Sequence, residues 1–151
     1  MEIRKATRQD LPTILGIQKQ AFLSEAERYN DFSIPPLNQT IEELELEFLE
    51  KNIFVGIIDN EIIASIRIYS KDAIGYLGKL IVMPKHQNKG IGRMLMNFAE
   101  KELKETKKIE LFTGEKSEKN IHLYKSLGYN IISLIKETEN VNLVLMEKLL
   151  L

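Results

Sequence analysis

The sequence predicts a mixed α+β fold of about seven strands and about four helices, and three observations carry that expectation. Runs rich in β-branched residues recur between segments whose apolar positions follow the helical period. Two of these runs, Ile53 to Ile58 and Ile62 to Tyr69, are joined by Asp59-Asn60-Glu61, a hairpin signal. A later succession of strand, helix and strand between Ala73 and Thr113 calls for a crossover connection, and hence for parallel pairing.

A chain of 151 residues is expected to form one domain, residues 1–151, with a sizeable core. Its net charge of −1 argues against a nucleic-acid partner, which calls for a basic excess. The absence of cysteine excludes disulfides, thiolate metal sites and a cysteine nucleophile, and the two histidines, His86 and His122, stand too far apart for a metal cluster. No apolar run is long enough to span a membrane, and Met1-Glu2-Ile3-Arg4 lacks a signal-peptide core. A cytoplasmic protein without a membrane or metal partner is expected, as monomer or homodimer.

Met1 to Thr7 alternates like a short strand. Asp10-Leu11-Pro12 then opens a helix whose apolar side, Leu11, Ile14, Leu15, Ile17, Ala21 and Phe22, runs to about Leu23. From Ser24 to Gln39 the pattern breaks, and two readings fit. The stretch is either a solvated helix end and loop, or a substrate lid in which Glu25 and Asp31, beside Tyr29 and Phe32, meet a cationic or amine-bearing ligand. If the helix continues, Glu25 and Tyr29 share a face. Thr40-Ile41-Glu42-Glu43 is a capping box opening a second helix to about Glu50. The hairpin strands are almost continuously β-branched, as in a sheet covered on both sides, and Arg67 within them reads as reaching an edge or an ion pair. The strand Ala73 to Val82 contains Gly75 and Gly78, which mark a bulge or a close backbone approach and are read as functional. Ile91, Leu95, Phe98, Ala99 and Leu103 line a third helix, and Lys107 to Thr113 returns as a strand. Ser117 caps a fourth helix, Glu118 to Leu127, stopped by Gly128, and strands Tyr129 to Lys136 and Val141 to Lys148 close the sheet.

The chemistry concentrates where the strand ending Leu80-Ile81-Val82 gives way to a helix through Gln87-Asn88-Lys89-Gly90-Ile91-Gly92. A helix N-terminus carries unpartnered N–H groups and partial positive charge, and glycines let an anion reach the main chain. Lys85, Lys89 and Arg93 add cationic side chains suited to more than one phosphate. A dinucleotide fingerprint would need a third glycine where Leu95 stands, and no P-loop string occurs. The Q-x-x-G-x-G pattern after a strand ending V-x-P resembles the coenzyme A pyrophosphate motif of the GNAT superfamily of acyl-CoA-dependent N-acyltransferases. A second pattern, N-x-x-x-Y-x-x-x-G-Y, sets Asn120 and Tyr124 one helical turn apart before Gly128 and Tyr129. On spacing alone Tyr124 is as much a core residue as a catalyst, but this signature too is similar to the superfamily's.

The resemblance implies a central twisted mixed sheet splayed between the strands ending at Val82 and Thr113, with acetyl-CoA in the opening. Main-chain groups of Gln87, Asn88, Lys89, Gly90, Ile91 and Gly92, with Arg93, would hold the pyrophosphate. Leu80, Ile81 and Val82 would pair with the pantetheine arm, Asn120 would hydrogen-bond it, and Tyr124 would protonate the leaving thiolate. The implied reaction is direct acetyl transfer to a primary amine, with a small amine, a peptide N-terminus and a lysine side chain all open as acceptors. An alkylammonium must lose a proton before it attacks, and its unperturbed pKa is about 10.4. No acid lies between Ala73 and Val82, so Glu25 and Asp31 are the candidate bases. His86 flanks the phosphate turn, and His122 is expected to point away from the Asn120/Tyr124 face. A CoA-binding sensor without turnover, or a site for another nucleotide, fits the same turn.

Overall fold

Each strand read from the sequence is present in the computed structural model, which describes residues 1–150. The order is β1 (Glu2–Lys5), α1 (Leu11–Tyr29), α2 (Pro35–Asn38), α3 (Ile41–Glu50), β2 (Asn52–Ile58), β3 (Glu61–Lys71), β4 (Ile74–Val82), α4 (Ile91–Glu102), β5 (Lys108–Gly114), α5 (Glu118–Ser126), β6 (Asn130–Lys136) and β7 (Asn142–Leu149). The strands form one seven-stranded sheet in the order β1-β2-β3-β4-β5-β7-β6. Only β4 and β5 pair in parallel, as the crossover through α4 requires.

Local chemistry accounts for the boundaries. The β2–β3 turn places Asp59 and Asn60 at φ 51° and 63°, a left-handed pair that short polar side chains tolerate and that suits the twist of a hairpin. The capping box closes as read: Thr40 Oγ1 accepts the Glu43 N–H at 3.2 Å and Glu43 Oε1 accepts the Thr40 N–H at 2.9 Å. Helix α1 runs past Leu23 to Tyr29, because Ala26 and Tyr29 continue its buried face, and it stops at Asn30 with φ 49°. The stretch from Ser24 is therefore helix first and loop second. Two prolines start the single turn of α2 inside what remains of that loop.

Helices α1 and α3 cover one side through Leu11, Ile14, Ile17 and Leu44, packed on Ile53, Val55 and Ile81. Helices α4 and α5 bring Ile91, Leu95, Met96, Ala99 and Tyr124 against Ile63, Ile66, Ile109, Leu111 and Met146. The two-sided cover explains the unbroken burial of Ile63 to Ile68. Gly75 is a packing glycine rather than a functional one: a Cβ there would stand 3.1 Å from Leu103 Cδ1 and 3.2 Å from Thr106 Oγ1. Strand β6 lies at the sheet edge and is exposed along its length.

The sheet opens in the middle. β4 and β5 pair from Ile74↔Lys108 to Leu77↔Leu111 and then part. Beyond that point β4 keeps β3, ending at Val82↔Ala64, while β5 keeps β7, ending at Gly114↔Leu143. The β3–β4 register shifts between Ser65 and Arg67, opposite Lys79, whose φ is 43°, so a bulge bends β4 away just where it leaves its parallel partner.

Arg67 lies in mid-sheet rather than at an edge, with 1% of its surface exposed, and it does make an ion pair. Its Nη1 donates to Glu47 Oε2 at 2.7 Å and to Gln39 Oε1 at 3.3 Å, and its Nη2 donates to Gln18 Oε1. Gln18 Nε2 donates to Gln39 Oε1 at 2.9 Å, Gln39 Nε2 to Glu47 Oε1 at 2.9 Å, and Lys79 Nζ to the same oxygen at 3.0 Å. Burial works to raise the Glu47 carboxyl, but Arg67, Lys79 and Lys51 outweigh it and hold the pKa at about 2. Glu47→Ala strands the Arg67 charge and should cost about 3–5 kcal/mol in chemical denaturation. Because the folded value lies below the ordinary 4.5, the carboxylate contributes stability above pH 4.5 that is lost as pH falls toward 2. Glu47→Gln should flatten that part of the stability–pH curve.

Candidate active site

The turn between β4 and α4 presents main-chain N–H groups that the helix does not use. Asn88 and Gly90 both have positive φ, 64° and 80°, which folds the main chain back so that successive N–H groups converge. The first helical bond runs from the Met94 N–H to the Gly90 carbonyl at 3.1 Å. Among the described residues, the main-chain N–H groups from Asn88 through Arg93 find no acceptor within the chain. A Cβ at Gly92 would make ordinary contacts, 3.4 Å from Leu123 Cδ2 and 3.6 Å from Leu80 Cδ2, so packing does not demand glycine there. Arg93 Nη2 is steadied by Ser126 Oγ at 2.7 Å.

This turn forms the floor of an outer cleft of about 520 Å³. Leu80, Ile81, Val82, Gln87, Asn88, Gly90, Ile91, Gly92, Arg93 and Asn120 all line it, whereas Lys89 does not. His122 also lines the cleft, contrary to the expectation that it turns away, because α5 lays Lys119, Asn120, His122 and Leu123 along the same wall. His86 borders it with a buried Nδ1 that has no partner.

An inner cavity of about 290 Å³ occupies the opening between β4 and β5, walled by Leu77 to Leu80 on one side and Leu111 to Gly114 on the other. Phe22, Glu25, Leu80, Ser117 and Asn120 border both spaces. Tyr124 lines the inner cavity, 7% exposed, its ring edge-on to Tyr129 at 6.2 Å. Burial first, and then the Glu25 charge, push its pKa up, so the phenol keeps its proton. Among the described residues no hydrogen bond engages the Tyr124 hydroxyl.

Of the two candidate bases, only Glu25 fronts the cavity. Its extension of α1 puts Oε2 at 2.7 Å from Ser117 Oγ, which donates to it, and Oε1 pairs with Arg28. Ser117 therefore spends its hydroxyl on Glu25 rather than on capping α5. Tyr29 Oη accepts the Lys116 N–H at 2.6 Å, fixing α1 to the end of β5. Asp31 lies outside the lining of both spaces. It accepts from the Ser33 N–H at 2.9 Å, from Ser33 Oγ at 2.5 Å and from Thr138 Oγ1 at 2.5 Å, and these bonds hold its pKa low. It is a tie between the α1–α2 loop and the β6–β7 turn, and Phe32 beside it faces solvent.

Three charged residues lining the inner cavity were not read from the sequence as site residues: Lys51, Lys79 and Glu137. A lysine inside an otherwise apolar strand was the available signal for Lys79. Among the described residues no group of three or more acids and histidines is arranged to hold a metal, and no helix is long and apolar enough to cross a membrane.

Residues 19–129 match the model of the acetyltransferase (GNAT) family. A curated relative, UPF0157 protein YqkA of Bacillus subtilis (strain 168), is 27% identical over 130 residues, covering 85% of this chain and 37% of its own length, so the chain spans little more than a third of that protein. The fold is similar to the ribosomal-protein-S18-alanine N-acetyltransferase of Escherichia coli, with a TM-score of 0.81 at 18% identity over 99% of this chain and 93% of that one. It is also similar to a phosphinothricin acetyltransferase of Sinorhizobium meliloti solved in complex with AcCoA, with a TM-score of 0.80 at 17% identity over 99% of this chain and 88% of that one.

Gly114 is where Glu25, Tyr29 and Ser117 converge: a Cβ there would lie 2.5 Å from Tyr29 Oη, 2.8 Å from Ser117 Oγ and 3.2 Å from Glu25 Oε2. Gly114→Ala should destabilise by about 1–3 kcal/mol, the range for overpacking a site that cannot give way. Gly16, on the exposed side of α1 with nothing within 4 Å of its missing Cβ, is the matched control. Gly16→Ala should stabilise by about 0.5–1 kcal/mol. Thermal or denaturant melts of the two variants with opposite signs are the expected result.

Proposed function

Because the chain belongs to the acetyltransferase (GNAT) family, we propose that residues 1–151 act as one catalytic domain that transfers the acetyl group of acetyl-CoA directly to a primary amine. In this reading Glu25 is the base and Tyr124 the general acid. The observation that carries it is the junction of the two spaces: a turn whose main-chain N–H groups find no acceptor among the described residues opens onto a cavity that Glu25 borders at the junction and that the protonated phenol of Tyr124 lines. The AcCoA in the similar phosphinothricin acetyltransferase supports the same choice of donor.

The roles follow from the chemistry of the groups. N–H groups from Asn88 to Arg93 receive the pyrophosphate. The edge of β4 beyond Leu77, left without a strand partner, offers main-chain groups to the pantetheine arm and an N–H to the thioester oxygen as negative charge grows there. Asn120, at the junction, orients the arm. Glu25, held by Ser117 and Arg28, takes one proton from the incoming ammonium. The amine nitrogen bonds to the acetyl carbon, the carbon–sulfur bond breaks, and Tyr124 gives its proton to sulfur. The second proton leaving the nitrogen restores the Tyr124 hydroxyl, so the products are an N-acetyl amide, CoA thiol and one proton carried away by Glu25.

Two variants test donor binding and proton transfer separately. Gly90→Asp puts a negative charge at the anion turn, and calorimetry on the folded variant should show CoA affinity largely lost. Tyr124→Phe keeps the ring and its packing but removes the proton. With acetyl-CoA, an amine panel and detection of released thiol, kcat should fall by roughly 10²–10⁴ with little change in CoA affinity. Wild-type kcat in the phenylalanine variant at every pH would make Tyr124 a packing residue.

A further inference from the structure

We propose that the acceptor amine carries an anionic group, a carboxylate in the simplest case, and that Lys51 and Lys79 hold it in the part of the inner cavity that does not border the outer cleft. This deepens the acetyl-transfer reading of the same site and rests on it.

The far wall of the cavity carries a charge imbalance. Three cations converge on one carboxylate: Arg67, Lys79 and Lys51 stand 2.7, 3.0 and 3.9 Å from Glu47. The neighbours that share their hydrogen bonds, Gln18 and Gln39, are neutral. Glu47 already accepts from Arg67, Lys79 and Gln39, so it has little left for Lys51. The other carboxylate on this wall, Glu137, is only partly exposed; burial raises its pKa while the charge of Lys79 opposes the rise, and among the described residues it forms no ion pair with either lysine, so three cations face two carboxylates. Glu43 is bound in the α3 capping box and does not line the cavity. A surplus of positive charge in a largely apolar recess is unfavourable unless an anion joins it.

The backbone at Lys79 is the second observation. It occupies the β4 bulge at φ 43°, a conformation that L side chains seldom adopt and that glycine would fill without strain. The chain nevertheless holds an amino group there, and burial depresses its pKa, so a ligand anion would favour its charged form. The cavity thus has two chemically different ends. Glu25, Ser117 and Tyr124 lie around its walls on the α1/α5 side to receive an amine, and Lys51 with Lys79 receives an acid. A purely cationic acceptor, the expectation drawn from Glu25 and Asp31, suits this lining poorly, since Asp31 is elsewhere and Glu25 is paired with Arg28.

The test is a set of acceptors matched in length, glycine, β-alanine and 4-aminobutyrate against their primary amides, with kcat/KM expressed per free amine because amidation also lowers the amine pKa, and a short peptide with an acidic side chain against the same peptide amidated at that side chain. The first set reports a free amino acid and the last a protein or peptide acceptor. In whichever pair is acetylated best, the wild-type protein should favour the acid by at least about tenfold in kcat/KM, as a charge-assisted contact implies. Lys79→Met and Lys51→Gln should each collapse that ratio toward one, and Lys79→Arg should retain most of it. Lys51 is the less integrated side chain, so Lys51→Gln keeps the test intact if Lys79→Met does not fold. A wild-type ratio near one, or a ratio that neither lysine variant moves, overturns the inference while leaving acetyl transfer standing. Acetyl-CoA that binds but is not consumed with any amine overturns the transfer reading, and this inference with it.

Discussion

The parting of β4 from β5 is the constraint on which the rest depends. Backbone N–H and C=O groups in a sheet must be paired or wetted, so a strand does not leave its neighbour without compensation. Here each strand keeps its antiparallel partner: β3 holds β4 to Val82, and β7 holds β5 to Gly114. The parallel seam alone is given up, after Leu77 and Leu111, which leaves a row of main-chain groups on each strand facing an opening. Those rows and that opening are the raw material of the site. A ligand with its own amides can restore the missing pairing, and the space is closed at the back by the four rungs that remain.

The opening would be a weakness without the polar cluster beneath it. Arg67 comes from the strand next to the bulge, Glu47 from α3, Gln18 from α1 and Gln39 from the link between α2 and α3, so one guanidinium ties four separate segments. Buried ion pairs are poor sources of net stability but are costly to break, which makes such a cluster a device for fixing geometry. Its excess of positive charge is then available on the cavity side. Lys79, on the bulge itself, belongs to this cluster and also lines the cavity.

Helix α1 carries the other half of the arrangement. Its last turns, continuing to Tyr29, reach across to Lys116 and Ser117 after β5 and bring Glu25 to the wall shared by cleft and cavity. Gly114 makes this approach possible by having no side chain. The anion turn, α5 and the end of α1 thus surround one junction although they come from distant parts of the chain.

The sequence by itself determined what short-range rules govern. Alternating and helical periods set the number and order of strands and helices, Thr40 to Glu43 set a cap, Asp59-Asn60 set a hairpin, and Gly90 set the strand-to-helix turn, because each depends on residues within a few positions of one another. The two spaced motifs, at Gln87 to Gly92 and at Asn120 to Tyr129, were legible for the same reason. Tertiary structure decided the rest. Whether α1 ended at Leu23 or Tyr29 turned on packing of Ala26 and Tyr29 against Ile34 and Val141, which no local pattern contains. Which acid faced the cavity turned on Ser117 and Thr138, 92 and 107 positions from Glu25 and Asp31. His122 met the cleft through the placement of α5, and Arg67 and Lys79 met Glu47 only when β3, β4 and α3 were stacked. Proximity across such separations is set by how elements pack, and a sequence read along its length carries periods and caps but not those distances.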